Sequence, residues 1–192
     1  QMVAALVRAI ELRDPYLAGH SRRVAEFSLA VGRQLDCSEE ELATLELAAN
    51  LSQIGKLAVR KELLNKPARL TEAEMAEMEA HVSHAVELLK GIDFELPVVE
   101  AIAQMHERLD GKGYPKGLKE NEISMTGRIL GTCDVFCARL EPRSYRGGLA
   151  PDAVLDILTQ NAARYDRRVI EALKQVMATV PGEKLVAGIA SA

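Results

Sequence analysis

The residues best equipped for chemistry lie in one short run, Met105-His106-Glu107-Arg108-Leu109-Asp110-Gly111-Lys112-Gly113-Tyr114-Pro115. A histidine titrates near neutrality and also binds metal ions. The glycines that follow let a backbone approach a ligand closely, and Lys112, Lys116 and Lys119 give the loop a positive charge suited to an anion. The segment therefore reads as the rim of a phosphate-handling site. Such a site needs further ligands, and the chain offers His20, His81, His84 and Asp134 elsewhere. Imidazole and carboxylate together suit Zn, Mn or Fe. For each histidine the plainer alternative is a surface or core side chain without chemistry.

Helices must position these groups. Val3, Leu6, Val7 and Ile10 share the i, i+3, i+4, i+7 spacing of one apolar helix face. That stripe opens with no capping residue before it. It predicts a linker helix over 1–12, leading from an upstream sensor or receiver domain and able to form a dimer seam, or else an ordinary core helix. Asp14-Pro15 ends it, and a second helix runs from about Gly19 to Leu35 with Val24, Phe27 and Val31 inward. Ser38 with Glu41, and Thr71 with Glu74, are capping boxes. They open helices to about Leu51 and Lys90. Pro97 starts a helix ending near Leu109, a loop spans Asp110 to Glu122, and a helix runs from Ser124 to Leu140. Glu141 to Leu149 is a second loop. Pro151 and Asp166 open the last two helices, to about Ala163 and Met177. No strand is predicted. The reading is an all-α helical bundle over 13–180, with a tail at 181–192. His20, His81, His106 and Asp134 then fall on four different helices, which a bundle can converge on one interior point.

Composition agrees with such a core. The 192 residues are 48% hydrophobic but only 4% aromatic, with no Trp, so Leu, Ile, Val, Ala and Met must fill the interior. A net charge of −4 argues against a DNA-binding domain of the basic type. Cys37, Cys133 and Cys137 form no CxxC pair and point to free thiols in a reducing, cytoplasmic compartment. No apolar run is long enough to span a bilayer.

The order of the motifs adds a resemblance. Gly19-His20-Ser21-Arg22-Arg23-Val24, Leu51-Ser52-Gln53-Ile54-Gly55-Lys56, Leu63-Leu64-Asn65-Lys66-Pro67, His81, the His106 to Pro115 run, Arg128-Ile129-Leu130 and Asp134 occur in that sequence. This resembles the HD-GYP family from about Glu11 to Met177. The resemblance implies a helical HD-type domain of bacterial signalling proteins. Its active members are metal-dependent phosphodiesterases that cleave cyclic di-GMP to pGpG or GMP. It further implies His20, His81, His106 and Asp134 as metal ligands, and Lys56 as a phosphate contact. Arg143, Tyr145 and Arg146 resemble an Arg-Pro-Tyr-Arg segment. Tyr114 is either a ligand contact or part of a structural turn packed on Glu107 and Arg108. In the family this loop is also implicated in docking GGDEF-type cyclase domains.

Three positions depart from the pattern. Ser52 and Gln53 stand where the family has its His-Asp pair, and Met105 stands where it has a histidine. An amide oxygen, a hydroxyl and a thioether are poor ligands for Mn, Fe or Zn. The expectation is no two-metal site. At most one weakly held ion remains, at His20 and Asp134 or at His81 and His106. The chain then reads as a degenerate member that senses a ligand or docks a partner. The alternative is a cyclic di-GMP phosphodiesterase with an atypical metal set.

Overall fold

The computed structural model describes residues 2–14, 17–142, 147–179, 182 and 184–186. The segment carrying Arg143, Tyr145 and Arg146 lies outside them. Among the described residues ten α-helices follow in order: α1 (Met2–Arg13), α2 (His20–Gln34), α3 (Glu39–Leu51), α4 (Lys61–Leu64), α5 (Glu72–Glu79), α6 (His81–Leu89), α7 (Val98–Gln104), α8 (Met125–Leu140), α9 (Pro151–Gln160) and α10 (Arg167–Met177). Tight 3-10 turns cover Ile54–Ala58 and Glu120–Glu122. There is no strand among the described residues, only an isolated bridge between Asp110 and Lys119. The fold is all-α.

Both capping boxes form. The Ser38 hydroxyl accepts from Glu41 N, and the Glu41 carboxylate accepts from Ser38 N at 2.8 Å. Thr71 and Glu74 repeat the exchange at the start of α5. Each box satisfies backbone donors that a helix start leaves without partners. Asp166 caps α10 by accepting from Arg168 N.

The core sits where α2, α3, α7 and α8 meet, with α10 laid across α2. Val24, Phe27 and Val31 of α2 are fully buried, as the spacing predicts. Phe27 meets Phe136 of α8 edge to face, with ring centroids 5.2 Å apart. Helix α1 packs on α3 and on the 3-10 turn through Ile10, while its Leu12 is 85% exposed.

Two helices end earlier than their patterns predict. The stretch from Thr71 to Lys90 breaks at Ala80 into α5 and α6. The break coincides with a bond from His81 Nδ1 to the Met78 carbonyl at 2.7 Å, an oxygen that an unbroken helix would offer to the backbone four residues on. Helix α7 stops at Gln104 rather than near Leu109. Arg108 Nη1 takes the carbonyls of Met105 and Glu107, and Leu109 N donates to Arg164 O, so the backbone leaves the helix path. His106 therefore stands in a turn, not on a helix.

Candidate functional site

Five segments bring the chemistry-bearing residues together: the start of α2, the turn after α3, the start of α6, the turn after α7, and the middle of α8. Gly55 makes this approach possible. A Cβ there would collide with the His81 carbonyl and the Ala85 amide, so only glycine lets the 3-10 turn lie against α6. Gly55 thus fixes Gln53 and Lys56 beside the histidines.

The first half of the site is a hydrogen-bonded chain. His20 Nε2 lies 3.1 Å from Asp134 Oδ1, and His20 Nδ1 lies 2.8 Å from Glu141 Oε2. Both acceptors are carboxylates, so both ring nitrogens donate and the imidazole is protonated. Burial works against that charge, but the bonds to Asp134 and Glu141 outweigh it and raise the His20 pKa. Arg23 grips the other oxygen of Glu141 through Nε at 2.9 Å and Nη2 at 2.7 Å. Two cations thus balance two anions inside the bundle. Gln53 Nε2 donates to Asp134 Oδ1 at 3.1 Å and lies 3.3 Å from Ser52 Oγ, which donates to Ala49 O at 3.0 Å. Burial pushes the Asp134 carboxyl up, yet the His20 bond and charge, with the Lys56 ammonium further off, hold it well below the usual range.

The second half is apolar and aromatic in character. His81 and His106 meet edge to face, with centroids 5.2 Å apart, and Tyr114 stacks on His106 at 4.9 Å and 11°. Burial lowers His81 to about 4 and His106 to about 3, so both rings are neutral at pH 7. The bond from His81 Nδ1 to a carbonyl places its proton there and leaves Nε2 as a bare lone pair. His81 Nε2 and His106 Nε2 are both enclosed without a partner.

The basic loop is held by Glu107, which is 4% exposed and accepts from Lys116 N at 2.7 Å and Leu118 N at 2.9 Å. Gly113 lies so close to the backbone of His106, Glu107 and Arg108 that a side chain there has no room. Tyr114 N adds a bond to His106 O. The turn is thus packed on Glu107, and the Tyr114 ring face is taken by His106. Lys112 and Lys116 stay exposed.

Of the sequence-predicted residues, His20, Ser52, Gln53 and Asp134 are joined by hydrogen bonds, and His81, His106 and Tyr114 by ring contacts. Lys56 is half-buried and its charge acts on Asp134, His81 and His106. Met105 is 1% exposed and belongs to the apolar core. The sequence reading missed Glu141 and the role of Arg23. A buried histidine followed by arginine three residues on signals a second anion, but not where in the chain it lies.

The donor set decides whether a metal pair fits. Among the described residues no three His, Cys, Asp or Glu side chains are placed to share one ion. Asp134 Oδ1 is occupied by two N–H donors, Ser52 points back at its own helix, and Met105 faces the core. The two-metal arrangement does not fit these residues.

A helical bundle that gathers His and Asp side chains from several helices and the turns between them belongs to the class of HD-type domains. Residues 4–169 match the family described as "HD domain", and the chain belongs to that family. The HD-GYP resemblance carried by the motifs agrees with this. The chain is 36% identical over 187 residues to the 3'3'-cGAMP-specific phosphodiesterase 3 of Vibrio cholerae serotype O1, covering 95% of this chain and 40% of that protein. It is 38% identical over 176 residues to the cyclic di-GMP phosphodiesterase response regulator RpfG of Xanthomonas campestris pv. campestris, covering 90% and 47%. The chain therefore spans less than half the length of these relatives. The crystal structure of the V. cholerae cyclic GMP-AMP specific phosphodiesterase V-cGAP3 superposes with a TM-score of 0.59 at 34% identity, over 94% of this chain and 41% of that one. The HD domain of the L. monocytogenes phosphodiesterase PgpH shares the fold, with a TM-score of 0.62 at 13% identity over 97% of both chains.

Proposed function

We propose that this domain is a regulatory member of its family that recognises a cyclic dinucleotide without hydrolysing it. The observation that carries the reading is the Gln53 amide donating to Asp134 Oδ1, where the family pattern has an Asp facing a cation. Cleaving a phosphodiester needs an activated water, and a neutral amide and a hydroxyl do not supply the ligands that activate one. What supports nucleotide recognition is the relatives, named as phosphodiesterases of cyclic di-GMP or 3'3'-cGAMP, together with the half-buried Lys56 ammonium, whose charge acts on Asp134. Arg143, Tyr145 and Arg146 extend this proposal as anion contacts. The loop over 110–119 is the proposed face for a GGDEF-type cyclase, and α1 the proposed link to an upstream domain or a second copy. In this reading no cofactor is needed.

The test pairs calorimetry with a turnover assay. Cyclic di-GMP or 3'3'-cGAMP binds, and neither the corresponding linear dinucleotide nor a mononucleotide appears in Mn(II) or Fe(II). A charged hydrogen bond to phosphate contributes about 1.5–3 kcal/mol, so Lys56→Ala weakens binding roughly 10- to 100-fold. Binding of neither nucleotide leaves the docking role alone.

A second reading is a metal-dependent phosphodiesterase with an atypical site. It is favoured by the two enclosed, unpartnered nitrogens of His81 and His106, which suit one Fe, Mn or Zn ion. Product formation with stoichiometric bound metal would establish it.

A further inference from the structure

Asp134 is a buried carboxylate of this interior. Its side chain is 9% exposed, and Oδ1 receives His20 Nε2 and Gln53 Nε2 at the same distance of 3.1 Å. Gln53 is itself 2% exposed. Only the NH2 end of an amide is attracted to a carboxylate oxygen, so the geometry fixes which way the amide faces. From there the chain of bonds continues through Ser52 Oγ to Ala49 O, and no side chain in it is left without a partner. The contrast lies in the histidine pair of the same site. His81 Nε2 and His106 Nε2 are buried without a hydrogen-bond partner, and Gln53 bonds to neither.

We propose that the Gln53 amide is a built-in stand-in for a cation. It supplies the positive end of a dipole to Asp134, ties the turn after α3 to α8, and makes this half of the site independent of metal. The proposal rests on the same Gln53–Asp134 contact that carries the absence of hydrolysis in the proposed function, and is independent of its nucleotide recognition. A buried carboxylate needs such a donor, because an unpaired charge away from water is strongly unfavourable. Replacing the amide by a second carboxylate restores the demand for a real cation.

The melting temperature of the whole chain tests this. Gln53→Asp lowers it by about 5 °C or more in EDTA, and millimolar Mn(II) closes the gap to the wild type. Gln53→Leu lowers it too, and Mn(II) does not close that gap. If Gln53→Asp is too unstable to purify, the wild type decides the matter. Its Gln53 side-chain NH2 protons exchange slowly with solvent in nitrogen-15 spectra recorded in EDTA. A Gln53→Asp chain as stable as the wild type in EDTA, or a Gln53 amide that exchanges like an exposed one, overturns the proposal. Turnover of cyclic di-GMP by the wild type ends the reading of a domain without hydrolysis and does not touch the amide contact. A freely exchanging amide ends this proposal and leaves nucleotide recognition standing.

Discussion

The neutral state of His81 and His106 has a consequence that can be measured on single residues. Burial holds them at about 4 and about 3, so at pH 7 no proton competes with a metal for their free nitrogens. Relative to the HD-GYP pattern that the motifs resemble, Ser52, Gln53 and Met105 replace one anionic and two imidazole side chains. The triple variant Ser52→His, Gln53→Asp, Met105→His supplies all three. It is expected to purify with at least one transition metal per chain by mass spectrometry, at a level the wild type does not reach. Met105 is the costly position: it is 1% exposed in the apolar core, and a histidine there that misses its metal is a buried polar group without a partner, costing roughly 1–3 kcal/mol. The triple variant is therefore less stable than the wild type in EDTA and regains stability with metal. A metal-free, equally stable variant would mean that the surrounding pocket no longer directs these side chains inward.

At the level of elements, what the sequence disclosed depended on whether the controlling contact was local. Capping boxes act within four residues, and Ser38 with Glu41 and Thr71 with Glu74 start their helices where the sequence places them. The break at Ala80 and the early end of α7 are set by other contacts. The His81 ring captures the Met78 carbonyl at the end of α5, and Arg108, stacked over the Tyr165 ring, draws the chain after Met105 away. Apolar spacing carries no trace of either. The same division holds for the site. His20, His81, His106 and Asp134 stand out by type and motif, whereas Glu141 pairs with His20 across 121 positions of sequence and bears no mark of its own. Glu107 shows how a motif residue can act on an element instead of a ligand. Its two bonds to Lys116 N and Leu118 N hold the loop that puts Tyr114 on His106. Glu107→Ala should therefore release residues 110–119. The expected signs are faster amide hydrogen exchange confined to that loop and a stability loss of about 1–3 kcal/mol, with α2 and α8 exchanging as before. Faster exchange spread evenly over the bundle would show that Glu107 supports the core and not the loop.

For the whole molecule, the buried His20 and His81 and the half-buried His106, with opposite shifts, make stability depend on pH from both sides of neutrality. His81 and His106 are lowered, chiefly by burial, to about 4 and about 3, against 6.5 in the unfolded chain. As pH falls below 6.5 the unfolded chain binds two protons that the folded chain refuses, so stability falls through the window from about 6.5 to 4. Two protons correspond to a slope of at most about 2.7 kcal/mol per pH unit, enough to consume a domain's total stability within that window. His20 has the opposite sign. Burial opposes its charge, but the bonds to Asp134 and Glu141 raise its pKa, so its contribution is complete below 6.5 and is lost as pH rises through the folded value. Glu141 and Asp134, both lowered, add to the acid loss only once pH approaches their ordinary values of 4.5 and 3.8. Urea midpoints measured from pH 9 to pH 4 should thus trace a dome, with the steeper arm on the acid side because two histidines act there and one on the other. His81→Gln removes one of the two protons and is expected to halve the slope between pH 6 and 5, whatever it does to the absolute midpoint. His20→Gln leaves the acid arm and flattens the alkaline one. A midpoint that stays level from pH 7 to pH 5 would mean that His81 and His106 are solvated, and that the enclosed half of the site, on which any choice between a metal and a nucleotide depends, is open to water.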